Sequence, residues 1–261
     1  ALMEQNAIPG KANRVLSHWA SAVYCAWGAA VPHLKHPERA VVSGNPIRPA
    51  LRSGLAARAP EKFGLSPAKR TLLVIGGSQG SAAVNAAVCE ALLHLDDCAP
   101  WLQVLHAAGA VTYERVRQAY DRCRVQHAAL PFIRDMASAY ATADLVIGRA
   151  GGTTLAEITA AGLPALLVPL PIAADDHQTA NARILEQAGA AVIIPQERLE
   201  PLDLARRVRE LMLDEARRDR MAQASRGLGV PEAARTVANR IIHFIQEPAP
   251  LIAAHQSWRS Q

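Results

Sequence analysis

The sequence predicts an α/β fold built on a parallel sheet, and three observations lead there. From residue 71 onward, short apolar runs alternate with longer amphipathic ones. The short runs, such as Leu72-Leu73-Val74-Ile75 and Leu145-Val146-Ile147, are apolar throughout. Strands covered on both faces look like this, whereas half-exposed strands alternate. Hydrophobic residues make up 50% of the 261 residues and aromatics only 4%, so the core is aliphatic. That composition suits packed helix and strand layers rather than an aromatic-rich sandwich.

The elements follow in order. Thr71 to Ile75 reads as a strand ending in Gly76-Gly77-Ser78-Gln79-Gly80. Val84, Ala87, Val88, Ala91 and Leu92 then fall on one helix face. Trp101–His106 and Val125–Leu130 read as strands flanking a helix over Val111–Cys123. Met136–Ala143 is a short helix before the strand Asp144–Ile147, and Thr153–Ala161 is helical after the Gly151-Gly152 turn. Prolines bound a strand over Pro164–Pro169, followed by a helix over Gln178–Ala188 and a last strand over Ala191–Ile194. Leu202–Leu213, Asp214–Ala224 and Pro231–Gln246 are three closing helices. Residues 1–58 differ: Ala12–Trp27 reads as one helix, Val41-Val42 as a short strand, and Arg52–Pro67 as a linker rich in Arg, Ala, Gly and Pro.

Charge separates the same regions. Residues 1–70 hold ten Lys/Arg against Glu4, Glu38 and Glu61, a net of +7, so the total of +5 leaves −2 for the remainder. A basic face suits an anionic membrane surface or a phosphorylated substrate, or is simply solvated. No basic stripe with interleaved aromatics points to nucleic acid. No apolar run is long enough to span a bilayer. Cys25, Cys89, Cys98 and Cys123 are scattered and read as buried free thiols, not a zinc site or disulfide frame. The chain opens Ala1-Leu2-Met3 without an initiator methionine, which reads as a fragment.

In parallel sheets ligands sit beyond the carboxyl ends of strands, so the turns after Ile75, Leu130, Ile147 and Val168 carry the chemistry. Gly76-Gly77-Ser78-Gln79-Gly80 offers backbone N–H groups at a helix start, suited to phosphate. Its spacing excludes dinucleotide and Walker motifs but fits the G-x-S-x-G elbow of a serine hydrolase. Ser78 would then be the nucleophile, with Asp144 or Asp175 and His177 or His243 as partners. An unliganded tight turn is the third possibility. Gly148 to Glu157 forms a second glycine turn and helix start, and Glu157 lies about one helical turn in. From there its carboxylate could accept both hydroxyls of a ribose, or merely stabilise the helix dipole. The polar cluster Asp175-Asp176-His177-Gln178 could cap a helix or bind sugar hydroxyls. No metal-ligand spacing is present.

Five motifs in order now carry a resemblance: Glu4-Gln5-Asn6-Ala7-Ile8-Pro9-Gly10, Gly44-Asn45-Pro46-Ile47-Arg48, Gly76 to Gly80, Gly151-Gly152-Thr153-Thr154-Leu155-Ala156-Glu157, and Asp176-His177-Gln178-Thr179-Ala180-Asn181-Ala182. From residue 1 to about 245 the chain resembles the MurG family, the peptidoglycan N-acetylglucosamine transferases.

The resemblance implies a GT-B architecture of two Rossmann-like domains. It implies a complete C-terminal domain and a mostly missing N-terminal one. Residues 1–58 would be the remnant of the acceptor- and membrane-side domain, and 59–70 a linker. Residues 71–230 would be the UDP-sugar domain, 231–247 a returning helix and 248–261 a tail. The implied reaction moves N-acetylglucosamine from UDP-N-acetylglucosamine to lipid I, giving lipid II with inversion, and needs no metal or cofactor. A non-catalytic nucleotide-sugar-binding module is the alternative.

Carried over, Asn6 would contact the sugar, Arg48 and Ser78 the diphosphate, and Ile133 the uracil through its backbone. Gly152, Thr153, Thr154, Leu155, Ala156 and Glu157 would hold the sugar and ribose, and Gln178 the sugar hydroxyls. The family's G-G-T-G-G-H loop has no match here, so no catalytic base is assigned. The implied location is the cytoplasmic face of a bacterial plasma membrane, peripherally bound, with Lys11, Arg14, Trp19 and Trp27 as contact candidates. The apolar face of the last helix (Val237, Ile241, Ile242, Phe244, Ile245) is expected to be partly exposed.

Overall fold

The computed structural model describes residues 1–52, 57–77, 79–171 and 176–246. Two sheets organise it. The smaller has three parallel strands, β1 (Leu2–Glu4), β2 (Val23–Cys25) and β3 (Ala40–Val42), in that order. The larger comprises β4 (Arg70–Ile75), β5 (Leu102–Ala107), β6 (Gln126–Leu130), β7 (Leu145–Gly148), β8 (Ala165–Leu167) and β9 (Ala191–Ile193). Its order is β6-β5-β4-β7-β8-β9, and every pairing is parallel.

The expected single helix over Ala12–Trp27 does not form. Helix α1 (Lys11–Leu16) ends at Ser17, and the chain turns to place Val23-Tyr24-Cys25 in the centre of the small sheet. Apolar, β-prone residues gain more by filling that sheet, where Val23 and Cys25 are fully buried, than by extending a surface helix. The segment read as a linker begins at the last residue of α2 (Pro49–Arg52) and carries a 3₁₀ turn over Pro60–Phe63. Leu65 is buried beneath the large sheet, and the Ser66 N–H donates to the Gln103 carbonyl.

The helices after residue 71 cover both faces of the large sheet. They are α3 (Ala82–Leu93), α4 (Tyr113–Tyr120), α5 (Met136–Thr142), α6 (Gly152–Ala161), α7 (His177–Gln187), α8 (Pro201–Leu213), α9 (Glu215–Leu228) and α10 (Ala233–Gln246). One apolar layer lies under α5, α6 and α7, and the other under α3, α4 and α8. Within the second layer His106 is bracketed by the Tyr120 hydroxyl (2.6 Å) and the Asn85 carbonyl (3.0 Å). Burial lowers its pKa to about 3, so it is a neutral core residue.

Cys25, Cys89 and Cys98 are buried free thiols, and Cys123 is a partly buried one. Burial first, then Glu4, pushes Cys25 up to about 11, which keeps it an unreactive thiol. Among the described residues no helix is long and apolar enough to cross a membrane, and no His/Cys/Asp/Glu cluster could hold a metal. Of the membrane-contact candidates, Trp27 belongs to the core at 8% exposure, while Trp19 stands 74% exposed three residues after α1, the helix that carries Lys11 and Arg14. Along α10, Val237 is buried and Ile242, Phe244 and Ile245 are exposed.

Candidate functional site

The connectivity of the large sheet chooses the place. From β4 the chain moves outward to β5 and β6, then returns to the other side of β4 as β7. Such a reversal leaves a crevice at the carboxyl ends of the two central strands. Here those ends are Ile75 and Gly148, paired in register. A Cβ on Gly148 would lie 2.9 Å from the Ile75 carbonyl, so the strand ends approach as only glycine permits.

Two glycine turns form the lips. After β4, Gly77 and Gly80 adopt φ of +92° and +79°. A Cβ on Gly80 would strike the Ala108 carbonyl, and one on Gly109 the Gln79 carbonyl, so this turn is nested against the end of β5. Helix α3 then starts with Ser81, whose hydroxyl accepts from the Val84 N–H. After β7, helix α6 starts from Gly151 with no side-chain cap. Its first N–H groups have no intrahelical acceptor, and the positive end of its dipole faces the crevice. Gly152 is the contact point with the small-sheet region, since a Cβ there would collide with the Gln5 carbonyl.

Between the lips lies a cleft of about 320 Å³. Its walls include Arg48, Ile133, Met136, Tyr140, Thr153, Thr154 and Glu157. The carboxylate of Glu157 is its most unusual group, a charged side chain in a residue only 5% exposed. Its Oε2 accepts from the Tyr140 hydroxyl at 3.1 Å, and its Oε1 lies 3.5 Å from Arg48 Nε. Burial raises the Glu157 pKa, while Arg48 and the Tyr140 hydrogen bond pull it back. Arg48 is half-exposed by comparison. A buried carboxylate facing a cleft beside a cation and a free helix N-terminus can bind a ligand with neighbouring hydroxyl and anionic groups.

The sequence-predicted residues divide accordingly. Arg48, Ile133, Thr153, Thr154 and Glu157 meet in this cleft. Leu155 is a core residue, Ala156 packs beside it, and Gly152 abuts Gln5, so none of these adds a side chain to the cleft walls. Asn6 and Gln178 lie elsewhere, each locked by hydrogen bonds. The Gln178 carbonyl accepts from the Ala150 and Leu170 N–H groups at 3.2 and 3.1 Å, tying the turns after β7 and β8 together. The Asn6 carbonyl accepts from Asn181 Nδ2 at 3.0 Å, and its backbone N–H donates to Glu4. Ser78 and Asp175 lie outside the described residues.

Asp144, one expected hydrolase partner, is at the opposite end of the sheet. Its carboxylate accepts from Arg58 and from the Thr71 N–H. It precedes β7 rather than following it, so it cannot reach the glycine turn after β4.

Three residues were not singled out from the sequence. Tyr140 is one turn beyond Met136 on α5, a spacing that puts both on one face. Arg149 is buried and donates to the Val168 and Pro169 carbonyls and to Gln196, bracing the end of β8. Asn181 is fully buried, accepting from the Ala7 N–H at 2.7 Å and donating to the Ala150 carbonyl and to Asn6. It fastens the small-sheet region to the second lip of the cleft.

Comparison with known proteins agrees with this layout. The chain is 43% identical over 246 residues to the UDP-N-acetylglucosamine–N-acetylmuramyl-(pentapeptide) pyrophosphoryl-undecaprenol N-acetylglucosamine transferase of Anaeromyxobacter dehalogenans, covering 94% of this chain and 63% of that protein. It is 45% identical over 235 residues to the protein of the same name in Alkalilimnicola ehrlichii, covering 90% of this chain and 64% of that one. The chain thus spans a little under two thirds of the length of these relatives.

Among solved structures it is similar to Acinetobacter baumannii MurG, with a TM-score of 0.72 and 32% identity, covering 93% of this chain and 66% of the other. An S. aureus MnaA–UDP structure shares the fold at 17% identity and a TM-score of 0.67, covering 92% of this chain and 65% of that one. The family described as "Glycosyltransferase family 28 C-terminal domain" matches residues 71–237. The large parallel sheet, its switch-point cleft and this match together place the chain in glycosyltransferase family 28, to which it belongs.

Proposed function

We propose that this chain supplies the donor-binding half of an inverting transferase that moves N-acetylglucosamine from UDP-N-acetylglucosamine to lipid I, forming lipid II. The observation that carries this reading is the buried Glu157 carboxylate facing a cleft between two glycine turns, with Arg48 at its mouth. The ribose hydroxyls donate to Glu157, and the uracil lies against Ile133. Arg48, Ser78 and the free N-terminus of α6 meet the diphosphate. Negative charge grows there as UDP leaves, and fixed donors stabilise it most in the transition state. Thr153 and Thr154, with the backbone of Gly152, Leu155 and Ala156, line the sugar side. Gln178 and Asn6, held outside the cleft by their own hydrogen bonds, brace the adjoining turns that border the sugar side.

The domain boundaries follow the same reading, with residues 71–230 as the donor unit and 1–58 as part of the acceptor side. The lipid-linked acceptor calls for a membrane-facing surface. Exposed Trp19 with Lys11 and Arg14 supports peripheral attachment to the cytoplasmic leaflet. The base that deprotonates the acceptor is assigned to no residue of this chain.

Calorimetry tests the donor site. The folded chain is expected to bind UDP, and Glu157→Ala to weaken that binding by about 1–3 kcal/mol through lost charged hydrogen bonds. A folded sample that does not bind UDP overturns the reading. Transfer to a lipid I analogue, measured on this chain and on a full-length relative, separates an active transferase from a binding module.

A further inference from the structure

We propose that Tyr140 is a positioning residue of this cleft: its buried hydroxyl donates to Glu157 and fixes which carboxylate lone pairs face the ribose. The inference rests on the donor-site reading above. Tyr140 is 1% exposed, and its hydroxyl lies 3.1 Å from Glu157 Oε2. An ionised carboxylate only accepts, so the phenol is the donor. The two residues sit on different helices, α5 and α6, and the bond therefore sets their relative placement.

Helix α5 is anchored independently. Asp135 caps it through the Ser138 N–H (3.1 Å) and also accepts from the Ser138 hydroxyl and Lys62 Nζ. Tyr140 thus reaches Glu157 from a fixed base. Arg48 does not, since half its side chain is exposed and it touches only Oε1 at 3.5 Å.

The two partners of Glu157 differ in what a bound donor does to them. The diphosphate attracts Arg48, leaving Oε1 to the ribose. Tyr140 then remains as the protein donor on a carboxylate whose burial already favours protonation. The charged and titratable groups acting on Glu157 are Tyr140 from α5 and Arg48 from the segment before α2. Arg226 of α9 lies against Gly162, at the other end of α6. Loss of the phenol would release the carboxylate from its orientation and let it protonate at higher pH.

The test uses Tyr140→Phe, which keeps the ring and removes the donor. Binding of UDP-N-acetylglucosamine is measured by calorimetry over about pH 5 to 8, a range in which its diphosphate diester keeps fixed charge. The variant is expected to bind about tenfold more weakly near neutrality, with the deficit growing as pH falls. The affinity ratio of UDP to 2′,3′-dideoxy-UDP should shrink several-fold in the variant, because the ribose hydroxyls lose an oriented acceptor. A residue that only fills space would weaken both ligands equally and leave the pH profile unmoved, and that result overturns the proposal. In Glu157→Gln, which cannot titrate, the acid-side loss of affinity should disappear; its persistence overturns the proposal even if Tyr140→Phe does not fold. If the parent chain binds neither ligand, the donor-site reading fails as well. If the parent binds and the variant matches it in affinity and pH profile, the role of Tyr140 alone is lost.

Discussion

The two ends of the large sheet handle polar groups in opposite ways. At the amino end, charges are paired and span the sheet. Asp144 holds Arg58 and the Thr71 N–H, Lys69 Nζ donates to the Ala99 carbonyl, and Arg70 reaches Glu215 and the Met212 carbonyl. At the carboxyl end there are left-handed glycines, a helix start without a side-chain cap and a carboxylate buried beside a cleft. The first end satisfies its donors and acceptors within the fold. The second turns a helix start without a side-chain cap and a buried carboxylate toward a cleft, an arrangement that suits ligand binding more than stability.

Substitutions at each end should break that contrast in recognisable ways. The largest effect is expected from Gly80→Ala. Its φ of +79° disfavours any side chain, and the added Cβ meets the Ala108 backbone. A loss of about 2–4 kcal/mol in denaturant unfolding is expected, together with lost UDP binding as the lip shifts. Asp144→Ala comes next. It strands the buried Thr71 N–H and the partly exposed Arg58, so unfolding should become easier by about 2 kcal/mol. The folded fraction should bind UDP as before, because the cleft is at the other end. A change in affinity as large as the change in stability would erase the distinction between the two ends.

The smallest effect has the opposite sign. The folded Glu157 pKa is raised, chiefly by burial. The fold therefore prefers the neutral form, and the contribution of Glu157 to stability falls as pH rises from about 4.3, the unfolded value, through its higher folded value. Glu157→Gln removes that penalty. Its melting temperature should exceed the parent's near pH 7, by a gain of up to about 1 kcal/mol, and the gap should close below about pH 4. The same variant should bind UDP more weakly. A parent more stable than the variant at neutral pH would mean that Glu157 is a structural anchor.

How much of this was legible in the sequence follows from what each signal depends on. Apolar runs such as Leu72–Ile75, Leu145–Ile147 and Ala165–Leu167 mark central strands of the large sheet, because strands covered on both faces cannot hide their composition, whereas edge strand β6 (Gln126–Leu130) is more polar and half-buried along its length. The glycine turns at Gly76–Gly80 and Gly148–Gly152 point to the crevice for the same local reason, as steric freedom is written in the residue type. The small sheet escaped. Leu2–Glu4 and Val23–Cys25 are three-residue strands whose pairing is non-local, and the single helix read over Ala12–Trp27 is overridden by tertiary packing. Asp144 as a triad partner failed because it directly precedes β7, which in a parallel sheet is the end away from the glycine turns, and that position was already legible in its place at the start of the apolar run. Tyr140 and Asn181 act through contacts 17 and 174 residues away in sequence, and single-chain spacing cannot reveal such partners. Ser78 lies outside the described residues, so its place in the turn stays with the sequence argument.

The most direct test of the central claim is a crystal structure of this chain with UDP bound. The cleft between the two glycine turns should hold the nucleotide, with ribose oxygens at hydrogen-bonding distance, about 3 Å, from the Glu157 carboxylate. The diphosphate should lie at the N-terminus of α6 with Arg48 turned toward it. UDP bound elsewhere, for instance in the surface groove lined by His94, Asp203 and Arg209, with the cleft empty, would contradict it.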